Sequence, residues 1–113
     1  MRTIIAGSRD IWVRAEVWKA IEACGHDITE VVCGEARGVD ALGKAWAFEN
    51  GVPVKSFPAN WDKYGKAAGA IRNEAMVAYA QAAIVIWDGA SPGSADMIRR
   101  AERANLKLHI HRV

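Results

Sequence analysis

The octapeptide Cys33-Gly34-Glu35-Ala36-Arg37-Gly38-Val39-Asp40 holds the densest run of chemically useful residues in the chain. An apolar run, Val31-Val32-Cys33, leads into it, and a helix-like pattern from Ala41 to Phe48 leads out. Gly34 and Gly38 permit backbone angles and close approaches that a Cβ forbids. The first amides of a following helix lack intrahelical partners, and the helix dipole favours negative charge there. Such a strand-to-helix turn can therefore hold a phosphate or another anion. Arg37 adds a planar cationic fork suited to phosphate or carboxylate. The same glycines also serve a tight turn with no ligand, and Asp40 at a helix start also complements the dipole.

Two more stretches share this form, Gly7-Ser8-Arg9-Asp10 and Asp88-Gly89-Ala90-Ser91-Pro92-Gly93-Ser94. Ser8 and Arg9 offer a hydroxyl, amides and a guanidinium to a phosphate, or else Ser8 or Asp10 caps a helix. Ser91, Gly93 and Ser94 read as phosphate donors with Pro92 fixing the turn, or as capping alone. Arg72 and Asn73 fall near the start of a helix, where Arg72 either touches a ligand or pairs with Asp88 or Glu74. Trp61 and Trp87 adjoin these turns and could stack on a base, whereas Trp12, Trp18 and Trp46 read as packing. Lys63, Tyr64 and Lys66 lie in a polar and aromatic loop, Asn60 to Gly69, either a phosphate-contacting flap or a solvated loop. Cys24, Cys33, His26, His109 and His111 are scattered without metal-ligand spacing, so no metal site is expected.

The elements that would position these groups follow from periodicity. Strands are expected at Thr3–Ala6, Val31–Cys33, Val52–Pro58, Ala83–Trp87 and Lys107–Arg112. Helices are expected at Ile11–Cys24, Ala41–Asn50, Ala70–Gln81 and Ser94–Asn105, the first two closed by Gly25 and Gly51. Prolines at the margins of the third strand place it at an edge. The fourth lacks polar alternation and belongs in the centre. His109 and His111 alternate with Leu108, Ile110 and Arg112, so the last strand has one wet face or lies at an edge. Strands alternating with helices imply a Rossmann-like, doubly wound, mainly parallel five-stranded sheet of order 3-2-1-4-5, with helices on both faces. In such sheets ligands sit beyond the carboxyl ends of the strands, where the winding reverses. All three glycine-bearing turns would meet at that rim.

With these stretches in place, the chain resembles the SLOG superfamily, the Smf/DprA and LOG group of Rossmann-like proteins, and more closely its small YpsA-related (YspA, YAcAr-type) branch. The matching residues are Ala6-Gly7-Ser8-Arg9, Gly34 to Asp40, Pro58 to Gly69 running into Ile71-Arg72-Asn73-Glu74-Ala75-Met76, and Trp87 to Ser94. The resemblance spans nearly the whole chain. It implies a nucleotide-derived ligand and a homodimer or larger homo-oligomer. LOG-type members release a base from a nucleoside monophosphate with an arginine early in the third helix and a glutamate after a PGGxGT loop. Arg72 stands at that arginine's position, but the glutamate's position falls on Met97, whose thioether cannot act as a base. Asp96 or Glu35 would have to substitute. Glu35 also replaces a glycine usual in this branch, and it must turn away, pair with Arg37 or Arg9, or meet a ribose hydroxyl.

At 113 residues with 51% hydrophobic and 25% charged content, the chain reads as one globular domain, residues 1 to 113. A net charge of +2 without a basic stripe makes nucleic acid an improbable partner and sets aside a DprA-like DNA-processing role. No apolar run is long enough for a membrane span or a signal peptide, and two free thiols fit a reducing cytoplasm; the resemblance implies that this is a bacterial or phage-infected one. The expected function is binding, for sensing or sequestration, of a nucleotide-derived ligand with no further cofactor. The alternative is a nucleoside-phosphate hydrolase using Arg72 with Asp96 or Glu35.

Overall fold

The computed structural model describes residues 1–113. Five strands, β1 (Arg2–Gly7), β2 (Glu30–Cys33), β3 (Val54–Ser56), β4 (Ala82–Trp87) and β5 (Lys107–Arg112), form one sheet of order β3-β2-β1-β4-β5. Every pairing is parallel. The helices are α1 (Arg14–Ala23), α2 (Val39–Glu49), α3 (Trp61–Tyr64), α4 (Ala68–Tyr79) and α5 (Pro92–Arg103), with a 3-10 turn at Gly65–Ala67. This is the Rossmann-like arrangement expected from the sequence. The winding reverses between β1 and β4.

The unbroken apolar runs of β1 and β4 are explained by burial on both faces. Side chains alternate along a strand, so each run feeds two cores. Ile5, Val31, Cys33, Ile84 and Ile86 pack with Val17, Ala20 and Ile21 of α1 and Val39 and Ala47 of α2. Ile4, Ala6, Val32, Ala83 and Val85 pack with Met76 and Val77 of α4 and Met97, Ile98 and Ala101 of α5. A register slip of one residue in β1 would exchange the two sets, so the two-sided core also fixes the rim where the strands end. No helix is long and apolar enough to cross a membrane.

Several features depart from the sequence expectation by more than a residue or two at an element's end. The first helix begins at Arg14, not Ile11, because Ser8 O accepts from Ile11 N–H in a turn that leaves Trp12 and Val13 exposed. Neither Ser8 nor Asp10 caps it; Val13 occupies that position without a side-chain bond. β3 is shorter than expected, since Pro53 and Pro58 lack an N–H, although it does lie at an edge. The stretch Asn60–Gly69 is not a loop: Asn60 Oδ1 accepts from Lys63 N–H at 3.1 Å and starts α3. β5 does lie at an edge, but its two histidines are half-buried rather than solvent-facing. His111 Nε2 lies 2.6 Å from Glu16 Oε2 on α1, whereas Ile110 is exposed.

Gly43 lets α2 sit directly on β1, and a Cβ there would stand 2.7 Å from Ile5 Cγ2. Alanine raises intrinsic helix propensity by about 1 kcal/mol. The Gly43→Ala variant should nonetheless lose about 1–3 kcal/mol of stability, as overpacked cores do. Urea unfolding followed by circular dichroism measures the difference, and a gain in stability would contradict this packing.

Candidate functional site

The three glycine-bearing turns meet at the carboxyl end of the sheet and enclose a cleft of about 760 Å³. Two close approaches assemble it. Gly38 has a φ of 73°, and a Cβ there would lie 2.6 Å from Ser8 O and nearer still to Arg9 O. The turn after β2 thus packs backbone to backbone on the turn after β1. Gly7 is wedged between Val39 and the Ile86 carbonyl, which brings α2 against the β1–β4 seam. Ser8 N–H donates to Ile86 O at 3.2 Å, and Ser8 O accepts from Val39 N–H at 3.4 Å.

From the first turn, Gly7, Ser8 and Arg9 line the cleft; from the second, Ala36 and Asp40 do; from α4, Arg72 and Asn73. Asp88, Ser91, Gly93 and Ser94 line it from the turn after β4, with Asp96 one turn into α5. Gly34, Glu35, Arg37, Gly38, Trp87 and Gly89 lie outside the lining. Gly34 and Gly38 act through backbone approach. Arg37 sits 3.7 Å from Asp10 on the surface. Trp87 Nε1 donates to Ser91 O at 3.2 Å, which braces the turn from behind. Gly89 backs onto the Arg112 guanidinium.

Glu35 turns away from the cleft. Its carboxylate accepts from Lys44 Nζ at 2.8 Å and from the Ser56 hydroxyl. Its φ of 60° is unusual for a residue with a side chain, which gives a conformational reason for glycine at this position. The Lys44 and Ser56 bonds hold the Glu35 carboxyl below its ordinary value. The Cys33 thiol at the end of β2 is pushed up by burial and stays protonated.

Arg72 pairs with neither Asp88 nor Glu74. Its Nη1 donates to the Gly34 carbonyl and its Nε donates to Asn73 Oδ1 at 3.0 Å. Asp40 lies against the same glycine, buried, with Oδ2 accepting from Ala36 N–H at 3.2 Å. Burial pushes the Asp40 carboxyl up, while the Ala36 amide and the Arg72 charge draw it down. Asn73 Nδ2 donates to Asp96 Oδ2 at 3.0 Å and lies 3.4 Å from Gly93 O, which ties α4 to the start of α5. Asp96 is held in addition by Arg100 Nε at 2.9 Å, and Arg100 reaches Glu74 at 2.7 Å.

Two features of the cleft lack partners. The Ser8 hydroxyl is buried and makes no hydrogen bond. The N–H groups of Gly93 and Ser94 in the first turn of α5 have no acceptor, and a Cβ on Gly93 would meet open space. A buried hydroxyl left unpaired costs about 1–3 kcal/mol, a cost that an acceptor entering the cleft would offset. On the opposite wall Trp61, 50% exposed, presents its indole with the Arg9 guanidinium 5.9 Å from the ring centre. Lys66 also lines the cleft.

Some of the lining escaped the sequence reading. Met76 forms part of the floor, one helical turn after Asn73 and so on the same face of α4. Met97 also reaches the floor, buried to 2% exposure. Asp10, read as a possible cap, is a cleft residue. The i to i+3 spacing from Asn73 was a usable signal for Met76, and the place of Asp10 in the Gly7–Asp10 turn was one for Asp10.

A parallel 3-2-1-4-5 sheet with a rim cleft built from three such turns defines the Rossmann-like class to which the SLOG proteins belong. The family model for the YspA, cpYpsA-related SLOG family (YAcAr) matches residues 1–64, more than half of the chain, and the protein belongs to this family. It is 35% identical over 117 residues to the gene 61 protein of Mycobacterium phage D29, across 95% of this chain and 93% of that protein. The structure of DNA processing protein A (DprA) from Streptococcus pneumoniae superimposes on 96% of the chain with a TM-score of 0.77 at 19% identity. At that identity the likeness concerns the fold, and the chain spans 49% of the DprA chain.

Glu35 gives the turn after β2 a pH signature. Its folded-state value lies below the ordinary 4.5, so its ionised form stabilises the fold above that value. That contribution is lost as pH falls through the lowered folded-state value. The Glu35→Gln variant should be less stable than wild type at neutral pH and converge with it in acid. Thermal unfolding of both proteins across that range tests this, and a pH-independent gap would contradict it.

Proposed function

We propose that the protein binds a nucleotide or nucleotide-derived ligand in the rim cleft without turning it over. The observation that carries this reading is the unpartnered, buried Ser8 hydroxyl set in the same cleft as the free first-turn amides of α5. That pair suits a phosphate oxygen, and the location is where parallel sheets of this order bind ligands. Trp61 supplies a face for a base, with Arg9 beside it. The SLOG membership of the chain supports a nucleotide-related ligand.

The groups needed for hydrolysis are committed elsewhere. Glu35 is bound to Lys44 and Ser56 outside the cleft. Asp96 is held by Asn73 and Arg100. Met97, at the position aligned with the LOG-type glutamate, has no acid or base to offer. Against a DNA-processing role, four carboxylates, Asp10, Asp40, Asp88 and Asp96, share the cleft with only three cations, Arg9, Lys66 and Arg72. A polyanion gains little there.

Isothermal titration calorimetry against a panel of nucleoside mono- and triphosphates and dinucleotides should find a binder. Ser8→Ala and Trp61→Ala should each weaken it by about 1–3 kcal/mol, the usual scale of a hydrogen bond to a charged group or of a stacked base. Chromatography of the incubated mixture should show the nucleotide intact. Absence of binding, variants that bind like wild type, or release of free base lost in Arg72→Ala would each overturn the proposal.

A further inference from the structure

The turn after β4 contains its own anion. Asp88 Oδ1 accepts from Ala90 N–H at 2.8 Å and from Ser91 N–H at 2.9 Å. These are the amides that a phosphate entering ahead of α5 would otherwise use. Only Gly93 and Ser94 are left for the ligand.

The other carboxylates of the cleft are neutralised or withdrawn. Asp10 faces Arg37, Asp96 is paired with Arg100, and Asp40 is buried beside Arg72. Asp88 has no ion-pair partner. Arg112 lies nearby, but its Nη2 donates to the Asp88 carbonyl at 3.2 Å. Asp88 is exposed, and Oδ2 makes no hydrogen bond within the chain. The Ala90 and Ser91 amides hold the Asp88 carboxyl below its ordinary value, and the nearby Ser8 hydroxyl adds to that lowering without meeting the geometry of a hydrogen bond.

A fixed, unpaired negative oxygen beside the remaining phosphate donors has two consequences. It repels each further phosphate charge brought to the cleft. It also accepts hydrogen bonds; a nucleotide offers sugar hydroxyls and base N–H groups, and with the base against Trp61 and the phosphate at Ser8, Gly93 and Ser94 the sugar is the part left to Asp88. An exposed acceptor of this kind favours a ligand that carries the hydroxyl over one that lacks it by the margin of a single hydrogen bond to a charged group, roughly ten- to a hundredfold at most.

Taking the nucleotide-site reading as given, we infer that Asp88 is a specificity-determining residue that selects a ligand with a free sugar hydroxyl and few phosphate charges over a polyphosphate. The carboxylate holds its own turn with one oxygen and reads the sugar with the other. Phosphate binding is confined to the Ser8, Gly93 and Ser94 side of the cleft.

Asp88→Asn tests this directly. The amide oxygen can still accept from Ala90 and Ser91, while the charge and the free acceptor are lost. Asp88→Ser, whose hydroxyl can also accept from these amides, serves as a second variant should the first fail to fold. The probes are the four ribonucleoside monophosphates, their triphosphates and their 2′,3′-dideoxy monophosphate counterparts, titrated by calorimetry. Wild type should bind its best monophosphate roughly tenfold or more tighter than the matching triphosphate and the dideoxy analogue. In the variant both ratios should collapse to about threefold or less, with the triphosphate gaining affinity in absolute terms. Monophosphate binding with ratios unchanged by the substitution would overturn the role of Asp88 alone. A wild type that prefers the triphosphate would do the same. Failure of every nucleotide to bind wild type would overturn the site reading and this inference with it.

Discussion

The cleft depends on a polar junction between α4 and the turn after β2, in which Asp40 is buried and Arg72 half-buried. Arg72 reaches across from α4 to the Gly34 carbonyl, and Asp40 holds the Ala36 amide of the same turn from the start of α2. A guanidinium and a carboxylate taken out of water are costly unless paired and hydrogen-bonded. Their mutual charge and these backbone partners meet that requirement. Gly34 makes it geometrically possible, because a Cβ there would stand 2.5 Å from Arg72 Nη1 and 3.0 Å from Asp40 Oδ2. Through Nε of Arg72 and the amide of Asn73 the junction extends to Asp96 and α5. Three walls of the cleft, contributed by α2, α4 and α5, are thereby held in one hydrogen-bonded chain.

This arrangement separates support from contact. Arginine and asparagine at the start of α4 invite a ligand role, and both do line the cleft. Their hydrogen bonds, however, go to the protein. Groups with unused capacity sit elsewhere: the Ser8 hydroxyl, the Gly93 and Ser94 amides, the indole of Trp61 and the outer oxygen of Asp88. A preorganised site of this kind loses little conformational freedom when it is filled, since the framework is already fixed.

Charge is distributed with similar economy. The mild positive net charge of the chain conceals a cleft with more carboxylates than cations. What matters for a ligand is which carboxylates are matched locally. Asp96 and Glu35 are matched, Asp40 is buried, and Asp88 is open.

Periodicity and turn chemistry determined the elements, their parallel order and the rim at which the three turns meet. Each of those is either local or follows from the handedness of the crossovers, so residue types along the chain suffice to give them. The two-sided burial of β1 and β4 was legible for the same reason. The direction of individual side chains was not. Glu35 could have faced the cleft or Lys44, and its positive φ together with the reach of Ser56 on the neighbouring strand decided the matter. Arg72 had carboxylate partners in view along the sequence but met a carbonyl 38 residues away. Asn60 turned an expected loop into a helix start, and the turn at Ser8 delayed α1 past Trp12. Hydrogen-bond partners across distant segments are set by the packing of whole layers, and only the tertiary structure brings those layers together.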